Sequence, residues 1–185
     1  GGNGSSVVMR YLRAGQETIV SFVGKLPSDT LGADTSSGKV EGVFLPDNTS
    51  DIVFSPDNNS MFYLYEINRN AIGMTANAYG DGKIQVLESP YTEWLSNWVN
   101  KNTIALNTKA SGLSPSYLYH LDTDAKTLNK VLGGVYGMTS LTSPDGNLVL
   151  YNNNNLELTI YNKLTREQQT KIIFDSMLLE VGYGE

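Results

Sequence analysis

Short apolar stretches alternate along this chain with clusters of turn-forming residues, and a 3.6-residue repeat is almost never sustained. Glu93 to Val99 comes nearest to a helical pattern and is too short for one. The apolar stretches are rich in Val, Ile, Tyr, Phe and Thr and are bounded by Gly, Asn, Asp and Pro, which is how strands read. They predict strands at Val7–Leu12, Thr18–Val23, Val40–Leu45, Asp51–Phe54, Met61–Ile67, Lys83–Leu87, Thr103–Thr108, Tyr117–Leu121, Leu148–Tyr151 and Leu156–Tyr161. So many short strands, with a turn signal every 8–12 residues or so, predict an all-β architecture.

A repeat selects among the all-β folds. Phe54-Ser-Pro-Asp-Asn-Asn-Ser-Met-Phe-Tyr63 and Thr142-Ser-Pro-Asp-Gly-Asn-Leu-Val-Leu-Tyr151 both read strand, Ser-Pro-Asp turn, strand. Proline fixes φ and cannot donate to a ladder, aspartate can hold the turn backbone, and Gly or Asn accepts a left-handed conformation. Looser copies lie at Trp98–Leu106 and Gly2–Tyr11. Their first apolar residues, Val7, Met61, Ile104 and Leu148, are 54, 43 and 44 residues apart, the longer interval carrying a loop insertion from Pro27 to Gly38. A period near 43 fits four-stranded antiparallel blades of a β-propeller, and a β-sandwich would explain the strands without the period. The expected blades are 1–46 (without a first strand), 47–90, 91–133 and 134–173, with 174–185 entering a further blade or forming a tail. Gly80-Asp81-Gly82 should turn a hairpin in the second, Asn152–Asn155 should be a hairpin loop in the fourth, and Gly133–Gly137 should link the third to the fourth. The missing first strand and the start at Gly1 point to a section of a longer propeller.

Composition narrows the function. The chain has 185 residues, 40% apolar and 17% charged, with a formal charge of −6. That balance argues against nucleic acid, whose phosphates require clustered Lys and Arg. It also argues against an anionic membrane surface, and no apolar run has the length of a membrane span. Cysteine is absent, so disulfides and cysteine-based zinc sites are excluded.

Sets of residues that carry catalysis do not emerge. His120 is the single histidine, in an alternating strand pattern with no Gly-x-Ser-x-Gly elbow. Glu93, Asp122, Asp124 and Asp145 are candidate acids for a glycosidase. Asp57 and Asp145 recur within the repeat and read as turn residues, and Asp122-Thr123-Asp124 reads as an Asx turn without the later glycine and glutamate of a calcium loop. We therefore expect no catalytic residue, no metal and no cofactor. Tyr91, Glu93, Trp94 and Trp98 stand out instead, along the expected first strand of the third blade. Alternation puts Trp94, Ser96 and Trp98 on one face. These four are the candidate binding residues, with core packing between blades as the competing explanation for the tryptophans.

Ser143-Pro144-Asp145-Gly146, its variant at 55–58 and the Leu-Tyr-x-Leu-Asp strand at 118–122 resemble the repeats of TolB-like, WD-repeat-like β-propellers. Phe44–Asn48, Ser89–Trp94 and Thr108–Ser111 are similar to stretches of uncharacterised propeller proteins of the bacterial cell envelope. The resemblance implies an extracytoplasmic, non-catalytic module that binds a protein or a glycan. The alternatives are the propeller domain of an enzyme, glycosidase-like or gating a hydrolase, and a structural spacer.

Overall fold

A computed structural model describes residues 6–26, 40–155 and 157–172. All regular elements there are strands: β1 Ser6–Leu12, β2 Ile19–Lys25, β3 Glu41–Phe44, β4 Asp51–Phe54, β5 Ser60–Ile67, β6 Asn70–Asn77, β7 Ile84–Ser89, β8 Trp94–Trp98, β9 Thr103–Thr108, β10 Pro115–Asp122, β11 Thr127–Tyr136, β12 Ser140–Thr142, β13 Leu148–Asn152, β14 Glu157–Asn162 and β15 Gln168–Ile172. They form antiparallel meanders in chain order: a three-stranded sheet β1-β2-β3 and four-stranded sheets β4-β5-β6-β7, β8-β9-β10-β11 and β12-β13-β14-β15. The insertion at Pro27–Gly38 and the stretch 174–185 lie outside the described residues. The chain divides into two compact units, Gly1–Thr92 and Glu93–Glu185.

Each unit has its own apolar core. In the first, Val23, Leu45, Met61, Tyr63 and Ala76 form a buried cluster drawn from both sheets. In the second, Val99, Ala105, Leu118, Met138, Val149 and Tyr151 do the same. The second strand of each four-stranded sheet carries the most buried side chains, among them Met61, Ile104 and Val149 at 0% exposure.

The Ser-Pro-Asp turns are built as their residues dictate. Ser55 Oγ donates to Asp57 Oδ1 (2.5 Å) and accepts from Ser60 N–H (3.0 Å), and Asp57 Oδ1 accepts from Asn59 N–H (3.1 Å). Ser143, Asp145, Asn147 and Leu148 repeat this set at 2.5, 2.9 and 3.1 Å. The serine hydroxyl first, then the asparagine N–H, holds each aspartate below the usual carboxylate range. Between them, the Val99–Thr103 turn closes with Val99 N–H on Thr103 O (2.9 Å), one residue shorter than the Ser55–Ser60 turn.

Two expectations need correction. The counterpart of Met61 and Ile104 is Val149, fully buried, and not Leu148, which is 42% exposed. The shorter turn in the middle copy hid that one-residue offset. Gly133–Tyr136 is not a link but the end of β11, whose register slips twice against β10. Gly134, at φ +83°, is the extra residue of the first slip, and a Cβ on Gly133 would lie 2.1 Å from the Tyr117 ring. Glycines are required there by the bulge and the close aromatic ring. None of the predicted strand ranges covers β6, β11, β12 or β15, although the hairpin expected at 80–82 implied a strand in the place of β6. The turns at 80–82 and 152–155 fall where expected, between β6 and β7 and between β13 and β14.

Candidate functional site

The four candidate binding residues flank or lie on β8. Tyr91 follows β7 in the first unit, and its N–H donates to Ser89 Oγ (3.1 Å). Glu93, Trp94 and Trp98 belong to the second unit. Glu93 pairs with Lys109 Nζ at 3.2 Å, both side chains more than half exposed, which is a weak surface pair. Trp94 and Trp98 share the buried face of β8, as alternation requires. Trp94 meets Tyr119 edge-on, centroids 5.5 Å apart, and Trp98 Nε1 donates to Asn100 O (2.6 Å). Both indoles thus spend their surface on packing and on closing a turn.

A different set of residues forms a concavity. Within the second unit, sheets β8–β11 and β12–β15 flank a cleft of about 510 Å³. The first sheet contributes His120 and Asp122 from β10 and Asn129, Lys130 and Val131 from β11, and the second contributes Tyr161, Lys163 and Arg166. Each arrives there for a local reason. Val131 is the extra residue of the second register slip, between the pairs Leu118↔Leu132 and Tyr119↔Lys130, and such a bulge re-aims its neighbours. Lys130 Nζ lies over the Tyr117 ring, 4.6 Å from its centroid. Lys163 and Arg166 come from the β14–β15 hairpin, where Asn162 Oδ1 accepts the N–H groups of Leu164 (2.9 Å) and Thr165 (3.2 Å). Lys163 N–H anchors that hairpin on Asn147 O (2.8 Å), and Arg166 takes the left-handed position at φ +61°.

His120 is 7% exposed and its Nε2 lies 3.2 Å from Thr142 Oγ1, on the neighbouring sheet. Burial first, and the Lys163 charge second, push its pKa down to about 4. At neutral pH it is therefore an uncharged donor and acceptor. Ser140 Oγ donates to Asn107 Oδ1 (2.6 Å) and Asn100 Nδ2 to Pro144 O (3.2 Å), so polar contacts join these two sheets beside the apolar core.

The charge pattern of the cleft is unusual for this chain. Lys163 and Arg166 share the cleft with one acid, Asp122, in a protein of net charge −6, whereas the ammonium of the third basic residue, Lys130, is held over the Tyr117 ring, which is not part of the cleft. Neither Lys163 nor Arg166 is in an ion pair among the described residues. Asp122 has its Oδ1 committed to the N–H groups of Asp124 (2.9 Å) and Ala125 (2.8 Å). The arrangement can hold a small anion against cations and offer a neutral imidazole, an amide and a carboxylate to its uncharged groups. Sequence reasoning had singled out His120 and Asp122 but not the cations. The signal available was a repeat of hairpins: Asp122-Thr-Asp-Ala-Lys126 and Asn162-Lys-Leu-Thr-Arg166 share offsets, which puts Lys163 and Arg166 at the turn positions of Thr123 and Lys126.

Comparison with solved structures shows the fold. An acylaminoacyl peptidase of Pyrococcus horikoshii superposes with a TM-score of 0.62 at 11% identity, over 89% of this chain and 30% of its own. The β-propeller domain of the Trilobed protease from Pyrococcus furiosus, described as having an open velcro topology, gives 0.61 at 9% identity, over 91% and 53%. An oligogalacturonate lyase from Vibrio parahaemolyticus gives 0.51 at 12%, over 82% and 43%. The fold is that of a β-propeller, and this chain spans between about a third and a half of the length of these proteins. No protein-family model and no curated protein sequence matches it.

Proposed function

We propose that this chain is the ligand-holding section of a longer propeller protein, and that the cleft beside His120 is where it binds. One observation carries the reading: two cations, Lys163 and Arg166, without ion-pair partners among the described residues share a cleft with a buried, neutral imidazole. Two solvated cations beside one another repel only weakly, and an anion drawn between them gains from both. A protein or a glycan partner presenting acidic groups suits it. Placement in the bacterial envelope, and the narrower kinship with TolB-like propellers, belong to the same proposal and rest on the repeat motifs.

The test is an array of neutral and acidic oligosaccharides and acidic peptides, probed with the 185-residue chain and with a Lys130→Ala/Lys163→Ala/Arg166→Gly variant. Retention on some members that disappears in the variant supports the reading. Equal retention by both proteins, or none by either, overturns it.

A second reading is favoured by the solved structures, which are peptidases and a lyase of which this chain matches only part. In it, the propeller accompanies a catalytic domain in the same polypeptide and admits or holds its substrate. Specific turnover by the complete protein, altered by the triple variant, would support this version. Turnover by residues 1–185 alone would contradict both, because each assigns the chain a binding role.

A further inference from the structure

Building on the binding reading above, we propose that the cleft takes a hydroxylated monocarboxylate, the chemistry of a uronic acid. The two walls of the cleft offer different things. From the β14–β15 hairpin come Lys163 and Arg166, three positions apart on one turn and lining one cleft. A guanidinium fork matches the two oxygens of a carboxylate, and an ammonium beside it adds a point charge. From the other sheet come His120, Asp122 and Asn129. A neutral imidazole, an amide and a carboxylate hydrogen-bond hydroxyl groups and offer nothing to a second anionic group. Tyr161 adds a ring against which the face of a sugar can pack.

The charge balance points the same way. Asp122 stands in the cleft with Lys163 and Arg166, two cations against one acid, so the site suits one negative charge better than the two of a phosphate monoester. The position of Arg166 supplies a second argument. It stands at φ +61°, a conformation that glycine or asparagine occupies at lower cost. The arginine is kept at that turn position while lining the cleft, and its guanidinium has no hydrogen-bond partner among the described residues.

The experiment is calorimetric titration of the 185-residue chain at pH 7.5 and low salt with sodium glucuronate, glucose and inorganic phosphate. Glucuronate should bind saturably, glucose should not, and phosphate should bind more weakly than glucuronate. Arg166→Gly, which suits the left-handed turn, and Lys163→Gln should each weaken glucuronate about tenfold. Lys126→Gly, at the same turn position of the hairpin that carries no cleft cation, should leave affinity unchanged. Glucuronate bound no better than glucose, phosphate bound as tightly as glucuronate, or unchanged affinity in both cleft variants would each overturn the assignment. If the array signals vanish in the triple variant while glucuronate fails to bind, the ligand class falls and the binding reading stands. If the array is also blank, both fall.

Discussion

Two hairpins in the second unit have nearly the same backbone and opposite uses. In the β10–β11 hairpin, Asp122 Oδ1 accepts two N–H groups, Thr123 N–H bonds Asn102 O (2.9 Å) and Lys126 sits at φ +55°. In the β14–β15 hairpin, Asn162 accepts the same two N–H groups, Lys163 N–H bonds Asn147 O (2.8 Å) and Arg166 sits at φ +61°. The acceptor at the first position and the left-handed residue at the fifth are what the turn needs. The other side chains are free to differ. In the first hairpin the second position is a threonine whose hydroxyl also bonds Asn102 O (3.3 Å). In the second it is a lysine that enters the cleft. The repeat thus sets backbone geometry, and chemistry is placed on positions the backbone leaves open.

Undermining both hairpins together should have the largest effect. Leu118, fully buried, belongs to the cluster shared by both sheets. Leu118→Ala should cost about 2–5 kcal/mol in urea unfolding, and should raise amide exchange at 123–127 and 163–167 alike. Faster exchange in one hairpin only would show that they do not share a core.

Next in size is the pH response of His120, two residues before the first hairpin. Its unfolded pKa is near the usual 6.5 and its folded pKa is about 4. Between those values the unfolded chain takes up a proton that the folded chain refuses. Stability is therefore full above pH 6.5 and falls as the pH drops toward 4, by on the order of 1–2 kcal/mol after allowance for solvent screening. Thermal melts of wild type and His120→Gln should diverge over that window, the variant being less sensitive. Parallel curves would remove the buried neutral imidazole from the account.

Removing the first-position acceptors should cost about 1–2 kcal/mol each, with Asp122→Ala the larger because its hydrogen bonds involve a charged acceptor. Equal losses would mean that the carboxylate adds nothing over the amide. The smallest effects should come at the fifth positions. Lys126→Gly and Arg166→Gly should each stabilise the fold by up to about 1 kcal/mol, while only the second weakens ligand binding. That split, read from melting and titration together, separates the shared backbone from the divergent chemistry.

The same separation explains what the sequence disclosed. The strands Asp51–Phe54 and Thr103–Thr108 were legible to the residue, because β-branched and aromatic residues there end abruptly at turn formers. The strand Asn70–Asn77 was not, since Asn-Ala-Ile-Gly-Met-Thr-Ala-Asn has little β propensity and is entered by a two-residue turn, Asn68-Arg69, with positive φ and no glycine. Thr127–Tyr136 was broken in reading by its two glycines, which serve a bulge and the Tyr117 ring. Gln168–Ile172 is too polar to stand out from a loop. As for the candidate site, Trp94 and Trp98 announce themselves by size, and size serves packing as readily as binding. The cleft cations announce nothing, because Lys163 and Arg166 meet His120 and Asp122 only when two sheets stack.

His120 is the single histidine of the chain, so its imidazole C–H signals report on the cleft without assignment ambiguity. Proton NMR of the wild-type chain, titrated with glucuronate and then with glucose, tests the claim that this cleft is the binding site. The account predicts a saturable shift of the His120 signals with glucuronate, none with glucose, and a curve displaced to higher concentration in Arg166→Gly. His120 signals that stay fixed in a folded protein would contradict it.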